Sequence, residues 1–423
     1  LCVQCGACVP VCPSRAIRMR ETPSGLLVAS INEEKCDGCG LCRAICPGAG
    51  ISLQGLHGAD PFKGNVLQAY AGHAGNEAIR ASGQSGGIVS ALLFYLLESG
   101  RIDAALVVAM PNDGSLRPRP VLARTRAEVL ASQGSKYCPV APGALLEDVR
   151  EGERIAMVGI PCQMHGIHNL SRQGNPLAER IEYRIGLFCD RTLLFSCIEM
   201  MARQARLRMD EISGLEFRSK SRHGWPGEVC FALVSGEKRF FPASLRTNLK
   251  DLFTPPRCRL CFDKLNVFSD LAVGDAWGIS PSARGDSVIL ARSEKGVLLL
   301  QEAAAHGFLR LEKIGMDRVF QGQNIERKRL DFSSFMELAG LEGRPLPRYE
   351  GLAPGFLKTV EKSLAARNRR RLNYDLAMAR SISREEALAM ARAWRRKQRR
   401  TALGALLFRR MRETIRALFH PAE

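Results

Sequence analysis

No apolar run in this sequence reaches the roughly 20 residues that a bilayer-crossing helix needs, and no signal peptide precedes the first cysteines. Neither an integral membrane protein nor an exported one is expected. Aromatic residues are sparse, 6% in all, with 3 Trp and 6 Tyr. Trp394 alone stands close to the basic clusters, and these match no nucleic-acid-binding fold, which argues against a nucleic-acid partner. Acidic residues are in deficit: 43 Asp+Glu face 61 Lys+Arg, for a formal net charge of +18. The segment from Lys358 to Glu423 carries most of that excess, so the charge bears on what the tail meets and little on the chemistry upstream. Cysteine is not scarce. Fifteen cysteines point to a reducing compartment, read as the cytoplasm.

Eight of the cysteines fall into two runs of one spacing. Cys2-x2-Cys5-x2-Cys8-x3-Cys12-Pro13 is followed by Cys36-x2-Cys39-x2-Cys42-x3-Cys46-Pro47. Four thiolates hold each 4Fe-4S cubane, and this spacing is the two-cluster form in which the fourth cysteine of each run serves the other cluster. Cys2, Cys5, Cys8 and Cys46 are expected to hold one cluster, and Cys36, Cys39, Cys42 and Cys12 the second. Zinc is the bland alternative, and zinc sites rarely use three cysteines in a row at this spacing. The repeat continues as Ala16-Ile17-Arg18-Met19 and Gly50-Ile51-Ser52-Leu53. This part resembles the bacterial-type ferredoxin domain over roughly the first 55 residues. Because the chain starts one residue before the first ligand, the cluster nearest the terminus is expected to be poorly shielded.

The length suggests about three domains at roughly 150 residues each. Gly55 to Gly75 reads as a glycine-rich linker. Ser82-Gly83-Gln84-Ser85-Gly86-Gly87 opens the apolar helix Ile88 to Leu97. Such a turn either offers free backbone N–H groups to an anion or caps a helix packed closely on a neighbour. Strands are expected at Ile102–Met110, Arg154–Ile160, Ile181–Phe188 and Leu271–Val273. In open α/β sheets ligands collect at the carboxyl ends of strands, where Cys162 and Cys189 fall. With Cys258 and Cys261 they make either a third tetrathiolate site or two buried fillers plus a local pair. Cys138, Cys197 and Cys230 read as core or loop residues. His165 and His168 share one helix face and suit proton donation or an ordinary helix. His223, Asp275 and Trp277 are weaker candidates, and Arg80 is either a phosphate partner or a solvated charge. The tail, from about 316, is helical and basic. Its stripe Leu403, Leu407, Met411, Ile415, Leu418 and Phe419 either packs on the body or docks at an anionic surface or an acidic partner.

From about residue 65 to 310 the chain resembles the coenzyme F420 (8-hydroxy-5-deazaflavin) hydrogenase and dehydrogenase beta subunit family. The resemblance is carried by Ser85-Gly86-Gly87, Gly100-Arg101-Ile102-Asp103-Ala104, Gly134-Ser135-Lys136-Tyr137, Gly159-Ile160-Pro161-Cys162-Gln163, Ile185-Gly186-Leu187-Phe188-Cys189, Cys258-Arg259-Leu260-Cys261 and Asp270-Leu271-Ala272-Val273-Gly274-Asp275, in that order. It implies a non-covalent FAD and a third 4Fe-4S cluster on Cys162, Cys189, Cys258 and Cys261. Ser85, Gly86 and Gly87 would contact the flavin diphosphate, and Ser135, Lys136 and Tyr137 would line the flavin, with Lys136 as its cation. His165, by its place after Pro161-Cys162-Gln163 and not by the resemblance, is the candidate proton donor near the flavin. The fold expected is α/β, α+β overall: a ferredoxin-like unit at 1–56, an α/β flavin domain at 65–135 and 136–315, and a basic helical tail at 316–423. The function expected is an iron–sulfur flavoprotein oxidoreductase that exchanges electrons with a deazaflavin or another hydride-exchanging substrate, or with an electron-carrier protein. A relay subunit without its own substrate and an accessory protein of polysaccharide synthesis are the alternatives.

Overall fold

The computed structural model describes residues 2–398 other than 57 and 112. Its centre is an eight-stranded mixed sheet in the order Leu309–Lys313, Gln68–Ala74, Ser287–Ala291, Leu271–Asp275, Ile181–Leu187, Ile155–Gly159, Ala104–Ala109 and Arg119–Ala123. The four strands from Leu271–Asp275 to Ala104–Ala109 run parallel to one another. The outer pairings are antiparallel.

Ala104 to Val107 and Ile155 to Val158 are unbroken apolar runs because both faces of the sheet are covered. Successive side chains point to opposite faces. Ala105, Val107, Ala156 and Val158 pack with the helix Ile88–Glu98. Ala104, Leu106, Ile155 and Met157 pack with Met164, Ile167 and Leu170 of the helix Pro161–Arg172 and with Val3, Cys5, Ala7 and Val11. The helix Ile88–Glu98 is apolar all round and is buried from Ser90 through Leu96, as expected of a helix with no solvent face.

The stretch read as a linker is part of the sheet. Gln68–Ala74 is an inner strand between Ser287–Ala291 and Leu309–Lys313. Its glycines serve close strand approach, not flexibility: a Cβ on Gly72 would stand 2.1 Å from the Arg310 carbonyl oxygen, and one on Gly75 2.0 Å from that of Gly307.

The internal repeat of the N-terminal unit is only half kept. Ile17–Glu21 pairs with Leu27–Ile31 as a hairpin. Its counterpart Gly50–Ser52 pairs in parallel with Arg348–Glu350, from a stretch with no legible role in the sequence. The unit is held to the body by buried bonds. Gly143 N donates to Cys5 O at 2.9 Å, Asn169 Nδ2 to Ile45 O at 3.1 Å and Gly50 O at 3.0 Å, and Ser196 Oγ to Ser24 O at 2.6 Å. The shielding is the reverse of that expected. The loop around Cys5 lies against the helix Pro161–Arg172, so closely that a Cβ on Gly166 would fall 2.9 Å from Cys5 Sγ. Cys5 is buried, whereas Cys36 and Cys39 are exposed.

A three-stranded antiparallel sheet, Lys238–Phe241, Glu228–Leu233 and Ile212–Ser219, flanks the carboxyl ends of the parallel strands. The described part of the tail packs on the body. Leu372, Tyr374 and Met378 of the helix Lys362–Ala379 are buried. Arg259 Nε donates to Asp375 at 2.7 Å, and Arg371 Nη2 to Asp251 at 2.8 Å. The stripe from Leu403 to Phe419 lies outside the described residues. No described helix is long and apolar enough to cross a membrane.

Candidate functional site

Seven of the first eight cysteines sit on loops and Cys42 on the short helix Leu41–Ala44, and the tight turns between them take left-handed backbone at Gly6, Gly38 and Gly40. The two runs lie side by side, with Cys42 and Cys46 of the second within electrostatic reach of Cys8 of the first. Burial pushes the Cys5 and Cys8 thiols up, Cys8 to about 12, and neighbouring thiols add to the shift, Cys2 and Cys46 among them in both cases. Cys46 of the second run thus stands with Cys2, Cys5 and Cys8 of the first. Cys12 in turn lies within electrostatic reach of Cys39. Backbone N–H groups point at sulfur: Gln4 N to Cys2 Sγ and Ala16 N to Cys12 Sγ, each at 3.3 Å.

A further four cysteines meet where the parallel strands end. Cys162 opens the helix after Ile155–Gly159, Cys189 follows Ile181–Leu187, and Cys258 and Cys261 come from the turn around the short helix Pro256–Arg259. All four line one cavity of about 50 Å³. Burial, then Cys189, Cys261, Cys258 and finally Cys5, push the Cys162 thiol well up. Cys5 of the inner N-terminal set is therefore the link toward this group. No three His, Cys, Asp or Glu among the described residues converge tightly enough for a single ion. Sulfurs spread around a cavity suit a cluster whose four irons and four sulfides need the space between them, so the donor set fits.

Arg257 lies between the inner set and these four. Its Nη2 donates to Pro47 O at 3.0 Å, beside Cys46, and its Nη1 to Leu260 O at 3.1 Å and Tyr349 Oη at 3.0 Å. Burial alone would lower its pKa, but Tyr349, Cys261 and Cys162 hold it above the usual arginine range.

A larger cavity of about 310 Å³ adjoins the four cysteines and shares the wall Cys189–Thr192 with them. Ser85 and Gly87 line its far end, and Ser135, Lys136 and Tyr137 line its side. Gly86 does not line it. Its N–H is taken by Ser287 Oγ at 3.0 Å, and a Cβ there would meet Gly72 O at 2.5 Å. Gly86 thus serves close packing, and the open end is formed by its neighbours and the uncapped start of the helix Ile88–Glu98. Lys136 Nζ contacts the Ser132 carbonyl and donates to Gln133 O at 2.8 Å. Burial lowers its pKa to about 7. The lysine has no carboxylate partner among the described residues, so an electron-rich ring beside it would favour the charged form that burial disfavours.

Asp275 ties the cavity wall together. It contacts Ser85 Oγ, accepts Arg218 Nη1 at 2.8 Å and accepts Trp225 Nε1 at 3.1 Å. Burial would raise its pKa, but Arg218 and these hydrogen bonds hold it below the usual carboxylate range. Trp277 remains 41% exposed and packs on Trp225.

Other candidates lie elsewhere. His165 stands in the cysteine cavity, not in the large one. Its Nε2 is 2.9 Å from Asp263 Oδ2, and its ring stacks on Phe262. That placement does not support proton donation at a flavin in the large cavity. His168 stacks on Phe268 and bonds Ser52 O at 3.2 Å, and burial lowers its pKa to about 4. His223 is exposed, 3.7 Å from Glu228. Arg80 is neither solvated nor free for phosphate, because its Nη2 pairs with Asp286 at 2.8 Å in a buried bridge. Sequence reasoning missed Arg218, Arg246, Lys250 and Arg257. Arg257 precedes a proposed ligand directly, and that adjacency was the one available signal.

Against known proteins, the family described as coenzyme F420 hydrogenase/dehydrogenase beta subunit matches twice, its N-terminal part over residues 69–147 and its C-terminal part over 152–316. The 4Fe-4S dicluster domain matches residues 1–49. The chain belongs to the coenzyme F420 hydrogenase/dehydrogenase beta subunit family. It is an iron–sulfur oxidoreductase of that family, with a dicluster domain at its start. An uncharacterised protein of Methanocaldococcus jannaschii is 28% identical over 358 residues, 78% of this chain and 94% of that protein. The coenzyme F420-dependent sulfite reductase of the same organism is 27% identical over 78% of this chain, which spans about half, 51%, of that enzyme. One chain of the F420-reducing nickel–iron hydrogenase complex from Methanosarcina barkeri shares the fold with a TM-score of 0.56 at 20% identity, over 70% of this chain and 99% of that one.

Proposed function

We propose that the protein is a flavin-dependent iron–sulfur oxidoreductase that passes electrons between its N-terminal clusters and an FAD in the large cavity. The observation that carries this reading is the shared wall Cys189–Thr192, which puts a four-cysteine set and a cavity of cofactor size side by side. Cys162, Cys189, Cys258 and Cys261 would hold a third 4Fe-4S cluster. Ser85, Gly87, Ser135, Lys136 and Tyr137 would hold the flavin. When bound, the flavin supplies the exchange between hydride pairs and single electrons that the clusters cannot make. The chain's own residues orient and shield. Lys136 offers positive charge to the ring, Asp275 fixes Arg218, which in turn bonds Tyr137, and the Cys5 loop brings the inner set within reach of Cys162.

The exposed Cys36 and Cys39 also suit a second reading, an electron-relay subunit docked to a partner enzyme, as in the hydrogenase complex to which the structural relative belongs. Anaerobically purified protein given a reduced deazaflavin, with a viologen as acceptor, separates the two. Turnover without any partner supports the enzyme. No turnover until a partner is added supports the relay.

A further inference from the structure

Arg246 is the least explained charge in the large cavity. It comes from the short helix Ser244–Thr247 beside the three-stranded sheet, is 6% exposed, and lines the cavity wall. Its guanidinium lies over the Tyr137 ring, 4.2 Å from the centroid. Its Nε is buried without a hydrogen-bond partner, and among the described residues no carboxylate pairs with it. The other cavity cations are engaged: Arg218 with Asp275 at 2.8 Å, Arg191 with Asp190 at 2.9 Å, and Lys136 with the carbonyls of Ser132 and Gln133. Lys250 stands on the same wall, within the field of Asp190.

A buried guanidinium with several idle donors is costly unless something answers its charge. The protein answers it only with the Tyr137 ring and, at longer range, Asp275, with no hydrogen bond or ion pair to either, and the side chain lines open space. The turn at Ser85 is separated from it by a series of side chains, Asp275, Arg218 and Tyr137. An anion held at the turn therefore leaves Arg246 unpaired.

We infer that Arg246, with Lys250 lining the same cavity, forms a second oxyanion site there, which receives a carboxylate or phosphate group of the substrate that reacts in it. The inference rests on the proposed function for the word substrate, and on the cavity geometry alone for the anion. Arg246 does no chemistry in this account. It fixes one end of a ligand whose other end lies beside the flavin, through paired charge-assisted bonds to one oxyanion.

Calorimetric titration of purified holoprotein with inorganic phosphate at low ionic strength, with chloride as control, tests it. Wild type is expected to bind phosphate at this site. Arg246→Met is expected to bind it about ten- to a hundredfold more weakly, and Arg246→Lys, which keeps the charge, is expected to fall between. Removing an unpaired buried charge is not expected to lower the melting temperature, and Arg246→Lys keeps the test open if the methionine variant misfolds. Flavin content read on the same samples identifies the occupant: unchanged in Arg246→Met, it supports the substrate, and lost, it assigns Arg246 to the cofactor diphosphate and overturns the inference. Equal phosphate affinity in wild type and Arg246→Met overturns it too. Wild type that binds phosphate but carries no flavin would sink the proposed function and leave the anion site standing.

Discussion

The two N-terminal cysteine runs share one spacing, yet they stand in opposite surroundings. Cys5 of the first run is buried in the same apolar core as Met157 and Ile167, and Cys8 packs against it, as does Cys42 at the end of the second run. The set built on Cys36 and Cys39 stands at the surface, on a stretch exposed from Ile31 to Leu41. The difference comes from the body, not from the runs: Gly143 and Gly166 are small enough to let the Cys5 loop in, and among the described residues nothing equivalent covers Cys36. On the proposed function, one template yields an outer port and an inner relay, the inner one within electrostatic reach of Cys162.

The relay idea fails or holds first at the third set. Cys258→Ala is expected to remove about four irons per chain and to stop electrons from an outside dye reaching the cavity flavin, while both N-terminal clusters stay. Anaerobic iron analysis and stopped-flow spectroscopy read this, and a variant that still reduces its flavin normally would break the sequence from surface to cavity. A smaller contrast lies between the two runs. Cys5→Ser is expected to lose the inner cluster and to lower the melting temperature by several degrees, because a hydroxyl would sit in an apolar site. Cys36→Ser is expected to lose the outer cluster with little change in melting. Equal melting of the two variants would erase the distinction between port and relay.

Arg257 sharpens the inner side further. Arg257→Leu removes a buried positive charge between Cys46 and Cys261, so the reduction potential of the inner clusters is expected to fall. Redox titration followed by electron paramagnetic resonance reads the shift, and a rise would contradict the electrostatic account. The smallest effect is a pH slope. The Lys136 pKa is about 7 in the folded chain and about 10.4 when unfolded. Between those values the unfolded state binds more protons, so stability rises with pH. The penalty is full below pH 7 and is relieved toward pH 10. Urea midpoints of flavin-free protein across that range are expected to climb less in Lys136→Met than in wild type, and equal slopes would mean that the buried ammonium is not the cause.

The eight N-terminal ligands were legible because one loop carries three of every four, so spacing alone betrays them. The third set was not legible in that way. Cys162, Cys189, Cys258 and Cys261 come together only because parallel strands end side by side, and spacing alone left a filler reading open. Gly72 and Gly75 misled in the opposite direction, because glycine that permits close strand contact has the same composition as glycine in a linker. Arg246 left no trace in the sequence. A short helix after a three-stranded sheet has no pattern that marks its arginine as buried and unpaired.

The central claim is that cysteine-held clusters lead inward to a flavin within one chain. Oxygen-free purification with iron, sulfide and flavin measured together tests it most directly. About twelve irons and as many sulfides per chain are expected, with about one flavin. About eight irons would remove the third cluster, and protein with its clusters but no flavin would contradict the claim itself.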